Sequence, residues 1–171
     1  MDEGSIPSTS TMLKTMKTSY GNVKKLSAPE SAYMAALIDG EGTISLTRHN
    51  KDGYRRLEIG ISNTELNLLK WTKNLIGAGQ ISSKRRYSEK HLTCYTYKIC
   101  NRQAFNLLVQ IALYLRTYKR KRAKLILKNY EKLTLRNGKY SQELLKKKKK
   151  FVKEFFAISP FGKRNRIEDY I

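Results

Sequence analysis

Tyr33-Met34-Ala35-Ala36-Leu37-Ile38-Asp39-Gly40-Glu41-Gly42 is an apolar run of helical character that ends in two acids, separated and followed by glycines. The last carbonyls of a helix carry partial negative charge, so an acid there costs roughly a few tenths of a kcal/mol. Asp39 and Glu41 at that end therefore require something positive nearby. Gly40 and Gly42 are expected to let the chain leave the helix at positive φ and to bring backbone carbonyls close to a bound group. Carboxylate, carbonyl and water oxygens are the hard ligands that Mg²⁺ takes. The plain alternative is a core helix with a glycine cap whose acids point into solvent.

Upstream, Ser27-Ala28-Pro29-Glu30 has the S-x-x-E pattern of a capping box, so the helix should begin near Ala28 and run to about Asp39. Ala32, Ala35 and Ala36 give it a low-relief face, while Tyr33, Leu37 and Ile38 supply apolar bulk. That combination suggests two such helices side by side, with Tyr33, Ala35 and Ala36 at a dimer interface. Ordinary packing within one subunit is the competing explanation.

Downstream the hydrophobic period changes to two. Thr43 to Asn50 and Tyr54 to Asn63 read as a hairpin around Lys51-Asp52-Gly53, with Leu57, Ile59 and Ile61 on one face of its second strand. Thr64 or Asn63 can cap a second helix from about Glu65 to Ile76, stopped by Gly77-Ala78-Gly79. A second hairpin follows, Gln80 to Tyr87 and Leu92 to Cys100, with Tyr95, Tyr97 and Ile99 inward and Thr96 and Lys98 outward. Asn101 can cap a third helix from about Arg102 to Leu115. A fourth runs from Lys119 to Arg136 and a fifth from Ser141 to Ala157.

The order α-β-β-α-β-β-α, with extra C-terminal helices, predicts an α+β fold whose four-stranded antiparallel sheet is covered by helices on one face. The bare face would carry Ser45, Thr47, His49, Tyr54, Arg56, Glu58, Gln80, Ser82, Lys84, Arg86 and Lys98. Antiparallel sheets often face water on one side, so polarity alone means little. The mixture suits DNA recognition: arginine and lysine fit guanine edges, glutamine fits adenine, and a strand pair fits the major groove. A strand of eight residues spans roughly 26 Å, about eight base pairs, which is a half-site for one subunit.

The 171 residues suffice for one sizeable core, expected over 27–157, with a basic arm over 1–26 and a tail over 158–171. The arm offers Lys14, Lys17, Lys24 and Lys25 to phosphates. Thirty-five Lys and Arg against 14 acids give a net charge of +21, which points to a polyanionic partner, nucleic acid first. No apolar run approaches the length of a membrane span, and no basic n-region opens the chain, so a membrane role and secretion are not expected. An intracellular setting, a prokaryotic cytoplasm or an organelle, fits. Cys94 and Cys100 share one predicted strand about 20 Å apart and cannot pair, and the two histidines form no zinc pattern.

Met34 to Gly42 resembles, position for position, the signature of the LAGLIDADG homing endonucleases. Met34 stands for the first leucine, Ala36 for the usual glycine, Gly40 for an alanine, and Glu41 for the more usual aspartate. The likeness extends over about residues 29 to 130, taking in Leu107-Leu108, Tyr114-Leu115-Arg116, Lys119 and Ala123, and leaves out the fifth helix and tail. It implies a Mg²⁺- or Mn²⁺-dependent endonuclease that makes double-strand breaks with 3′ overhangs. Glu41 and the Gly40 carbonyl would hold the metal, with Asp39 and Gly42 supporting the helix end. Asn63 and Lys119 correspond by position to the polar strand-end residue and the lysine that surround the attacking water, although neighbours of Lys119 up to Arg122 compete for that role. One signature copy implies a homodimer that cuts both strands of a long, pseudo-palindromic duplex, encoded in an intron and promoting its homing. An intron maturase acting on RNA, or a non-cleaving nucleic-acid-binding protein of the same fold, is the alternative. A basic ribosomal-type RNA-binding protein would explain the charge but not acids at a glycine-flanked helix end.

Overall fold

The computed structural model describes residues 23–48, 53–83, 92–135 and 139–160. Its elements are α1 (Ala28–Glu41), β1 (Gly42–Thr47), β2 (Arg56–Asn63), α2 (Leu66–Ile76), β3 (Gln80–Ser83), β4 (Tyr95–Cys100), α3 (Asn101–Ile111), α4 (Tyr118–Leu133) and α5 (Gln142–Ala157). The strands form one antiparallel sheet in the order β1-β2-β4-β3. This is the expected α+β plan. One face buries Ile44, Leu46, Leu57, Ile59, Ile61, Tyr97 and Ile99. Met34 and Ile38 of α1, Leu69 and Ile76 of α2, Leu107 and Leu108 of α3, Ile126 of α4 and Phe155 of α5 complete that core.

The capping box forms as its sequence implies: Glu30 N–H donates to Ser27 Oγ at 3.4 Å, and Ser27 N–H donates to Glu30 Oε2 at 2.7 Å. The far end of α1 differs from expectation. The helix continues to Glu41 because Gly42 N–H donates to Ile38 O, and Gly42 leaves at φ −96°, not at positive φ. What requires glycine there is proximity: a Cβ on Gly42 would lie 2.7 Å from Ile38 Cα. Gly40 is inside the helix. Among the described residues the positive-φ glycines are Gly77, which caps α2, and Gly79.

α2 begins at Leu66, one residue late, and no side chain caps it. Asn63 instead tightens the preceding turn by accepting from Glu65 N–H at 2.8 Å. Asn101 does not cap α3 but is its first residue, in the left-handed region at φ 54° that asparagine tolerates. α3 stops at Ile111, short of Leu115, where the chain turns and is drawn to Asp39 as described below.

β1 lies at a sheet edge, and its carbonyls are covered by arginines. Arg122 Nη1 donates to Ile44 O and Arg55 Nη1 to Leu46 O, each at 3.0 Å. The same guanidinium groups rest on aromatic rings of α5, Arg122 at 4.7 Å from the Phe155 centroid and Arg55 at 5.0 Å from that of Phe156. Residues 23–26, expected to belong to a loose arm, are docked. Lys24 N–H donates to Ile76 O, Leu26 is buried, and Gln110 bridges Leu26 N–H and Lys24 O. Cys94 precedes β4, Cys100 ends it, and both are free thiols.

Candidate functional site

The loop between α3 and α4 is tied to the end of α1 through Asp39. Its Oδ2 accepts from Arg116 N–H at 2.6 Å and its Oδ1 from the Thr117 hydroxyl at 2.5 Å. Thr117 also caps α4 by accepting from Lys119 N–H. Lys119 then points back under α1, where its buried Nζ donates to Ile38 O at 2.8 Å and Asp39 O at 2.9 Å. This is the positive charge that the acid-bearing helix end requires. Burial lowers the Lys119 pKa. Asp39 opposes that shift, Arg122 adds to it, and Glu41 opposes it. Within the basic run 119–122, Lys119 reaches the end of α1, Lys121 faces solvent, and Arg122 reaches β1 and Ile158 O.

The two acids of α1 thus have different surroundings. Asp39 is engaged by the fold, whereas Glu41 is exposed and Gly40 beside it has open space around its Cα. Asn63 lies at the same end of the sheet: Gly42 is opposite Ile61, and β2 runs two residues further before Asn63. Among the described residues no three His, Cys, Asp or Glu side chains converge on a common point. One exposed carboxylate beside a helix-end carbonyl is an oxygen-only donor set. It fits half of a Mg²⁺ site, the remainder to come from water, phosphate or a second subunit, and it does not fit zinc.

The open face of the sheet follows from parity and register. Ser45, Thr47, Arg56, Glu58, Gly60, Gln80, Ser82, Thr96 and Lys98 lie on it as the alternation predicts, joined by Thr43, Ser62 and Cys100. Those three were legible from the same alternation but are small or weakly polar. His49, Lys84 and Arg86 lie outside the described residues. Tyr54 departs from expectation, because β2 begins only at Arg56. Its ring packs on Tyr140 at 4.6 Å, and the buried Lys148 ammonium sits 4.1 Å from both ring centroids. Lys148 therefore leaves the run Lys146 to Lys150, whose other members are exposed.

On α1, Ala35 is fully buried in the core and so is not on the exposed face. The outward stripe is Tyr33, Ala36 and Gly40, three and four residues apart. Tyr33, 50% exposed, meets Trp71 of α2, 44% exposed, edge to face at 5.1 Å.

No protein-family model matches the sequence, and no curated protein matches it. Solved structures do match the fold. The homing endonuclease I-CvuI, in complex with the I-CreI target in the presence of 2 mM Mg and with the DNA not cleaved, aligns with 82% of this chain over 91% of its own, at TM-score 0.57 and 16% identity. The LAGLIDADG meganuclease I-CpaMI, bound to uncleaved DNA, aligns with 81% of this chain at TM-score 0.56 and 18% identity, over 48% of its own length. The fold is that of the LAGLIDADG homing endonucleases. An archaeal intron-encoded homing endonuclease complexed with DNA shares this LAGLIDADG fold at TM-score 0.54 and 18% identity, over 82% of this chain and 91% of that one. The chain thus spans nearly all of two LAGLIDADG-fold proteins and about half of the third.

Proposed function

We propose that this chain is a site-specific DNA endonuclease that works as a homodimer on a long, pseudo-palindromic duplex. The observation that carries this reading is Glu41, exposed at the end of α1, above a lysine that the fold has buried beneath the same helix end. Lys119 offsets the charge of that helix end, while Glu41 stays exposed with no partner among the described residues that its position serves.

The dimer is supported by α1 itself. Its inner side buries Met34, Ala35 and Ile38, while its outer side carries Tyr33, Ala36 and the half-buried Leu37. A helix that is apolar all round belongs between two partners. A second copy packed there by a two-fold axis would bring the two Glu41 carboxylates together and set the two open sheet faces in line, one per half-site. The full-length match to one set of structures and the half-length match to another agree with one subunit being half of the active unit.

Glu41 and the Gly40 carbonyl would hold Mg²⁺ or Mn²⁺, which supplies Lewis-acid stabilisation of the phosphate and an acidified water. Lys119 keeps positive charge under the site and holds the helix end that aims Glu41. Asp39 fixes the start of α4 and with it Lys119. Asn63, at the end of β2, would orient a water at the same end of the sheet. Cleavage of both strands with 3′ overhangs, by a domain covering 27–157 with a tail over 158–171, would promote intron homing in a prokaryotic cytoplasm or an organelle. No described helix is long and apolar enough to cross a membrane.

Selection from a randomised duplex library, run with Mg²⁺, with Ca²⁺ and with Glu41→Gln, tests the proposal. Enrichment of one long, roughly palindromic site, cut by wild type with Mg²⁺ alone, is the expected outcome. Equal binding of duplex DNA or of structured RNA by both proteins with no cutting would replace it with the maturase or binding-protein reading.

A further inference from the structure

Gly60 sits in the middle of β2, one of the two central strands, where glycine weakens a strand. Nothing in the fold requires it. Its φ is not positive, and a Cβ there would meet Thr43 Oγ1 at 3.5 Å and the Tyr97 carbonyl at 3.7 Å, ordinary contact distances. Gly42 is the contrast, since a Cβ there collides with backbone. Gly60 is buried on that face, and a glycine that packing does not need there keeps the sheet low under whatever lies on it.

The surface around it has a donor and an acceptor. Register puts Lys98 directly across from Gly60 and Thr43 on the other side. Glu58, two residues along β2, is the one acid on this face among the described residues, and its side chain is only 16% exposed. Three donors hold it: Lys98 Nζ at 3.3 Å, the Thr47 hydroxyl at 3.3 Å and the Cys100 thiol at 3.7 Å. An acid costs affinity wherever phosphates dominate binding, so a fixed one on such a face is useful only against a donor. In the major groove a G·C pair offers guanine O6 and N7 as acceptors beside the cytosine N4 amine as donor. Lysine suits the first two and glutamate the third.

We infer that Glu58 and Lys98, beside Gly60, read one G·C base pair in each half-site. The inference rests on the reading of this face as a DNA-binding surface. It is tested by measuring binding, in Ca²⁺, of wild type, Glu58→Gln and Gly60→Ala to the library-selected duplex and to its single-base-pair variants. One G·C pair per half-site should emerge whose replacement weakens wild-type binding about tenfold or more. Glu58→Gln should flatten the preference at that position while selectivity at the others persists. Gly60→Ala should raise the thermal unfolding midpoint, because alanine suits a strand better, and still weaken binding of the selected duplex about tenfold. Stability rising while affinity falls separates a glycine kept for the ligand from a structural one. Wild-type-like binding by Gly60→Ala, a preference for A·T at the Glu58-dependent position, or no position that depends on Glu58 would overturn the inference and leave the DNA-binding face standing. Failure of wild type to bind any duplex would overturn both.

Discussion

Lys119 donates to two carbonyls at the end of α1 from a buried position, so its removal and the removal of Glu41 should have different consequences. Lys119→Met leaves those carbonyls without their donor and is expected to cost about 1–3 kcal/mol of stability, along with cleavage. Glu41→Gln, at an exposed position, should stay within about 0.5 kcal/mol of wild type and yet lose cleavage. Urea denaturation of the two variants separates them, and equal stability losses would contradict the division of labour. At this scale the sequence was informative in kind more than in detail. Two acids at a helix end required a cation, but a run of Lys119-Arg120-Lys121-Arg122 contains four candidates, and only the approach of α4 to α1 selects among them. Asp39 and Glu41 likewise look equivalent in sequence. Their separation into an inner and an outer acid depends on the Arg116–Thr117 loop, whose position is a long-range property.

Among the elements, α5 is held to the hairpin base by Lys148 between Tyr54 and Tyr140. Burial pushes the Lys148 ammonium from 10.5 down to about 8, against two ring faces and the Tyr140 hydroxyl that favour the cation. Between about 8 and 10.5 the folded protein releases this proton before the unfolded chain does. The unfolded chain then binds more protons, so stability rises with pH across that window. Lys148→Met removes the titration. It should be more stable than wild type below pH 8, with the gain shrinking toward the upper end of the window. Thermal unfolding of both proteins at neutral and alkaline pH checks this, and a difference independent of pH would contradict it. Helix and strand types were legible from periodicity, and their ends less so. α3 ends early because the chain is pulled to Asp39, and Tyr54 leaves the strand because Tyr140, just ahead of α5, offers it an aromatic partner. In sequence Lys148 is one of five consecutive lysines, Lys146 to Lys150, and nothing there distinguishes it. Ala35 and Ala36 are adjacent small residues, and which of them faces the subunit's own core is decided by the packing of α1 on the sheet.

For the molecule as a whole, a charge of +21, an open polar sheet face and an apolar outer stripe on α1 describe a chain with two different outward surfaces. Ala36→Glu tests the second surface. It adds a carboxylate to the outward stripe and should weaken self-association at least about tenfold by sedimentation equilibrium, while the subunit keeps its fold. An unchanged association constant would remove α1 from the interface. The central claim is that paired Glu41 carboxylates cut both strands. It is met most directly by mapping the cut positions on each strand of the selected duplex, with Mg²⁺, for wild type and Glu41→Gln. Symmetric cuts on both strands about the centre of the palindrome, with 3′ overhangs from wild type and intact strands from Glu41→Gln, are the predicted result. Cuts made equally by Glu41→Gln, or a bound duplex that wild type leaves whole, would contradict it.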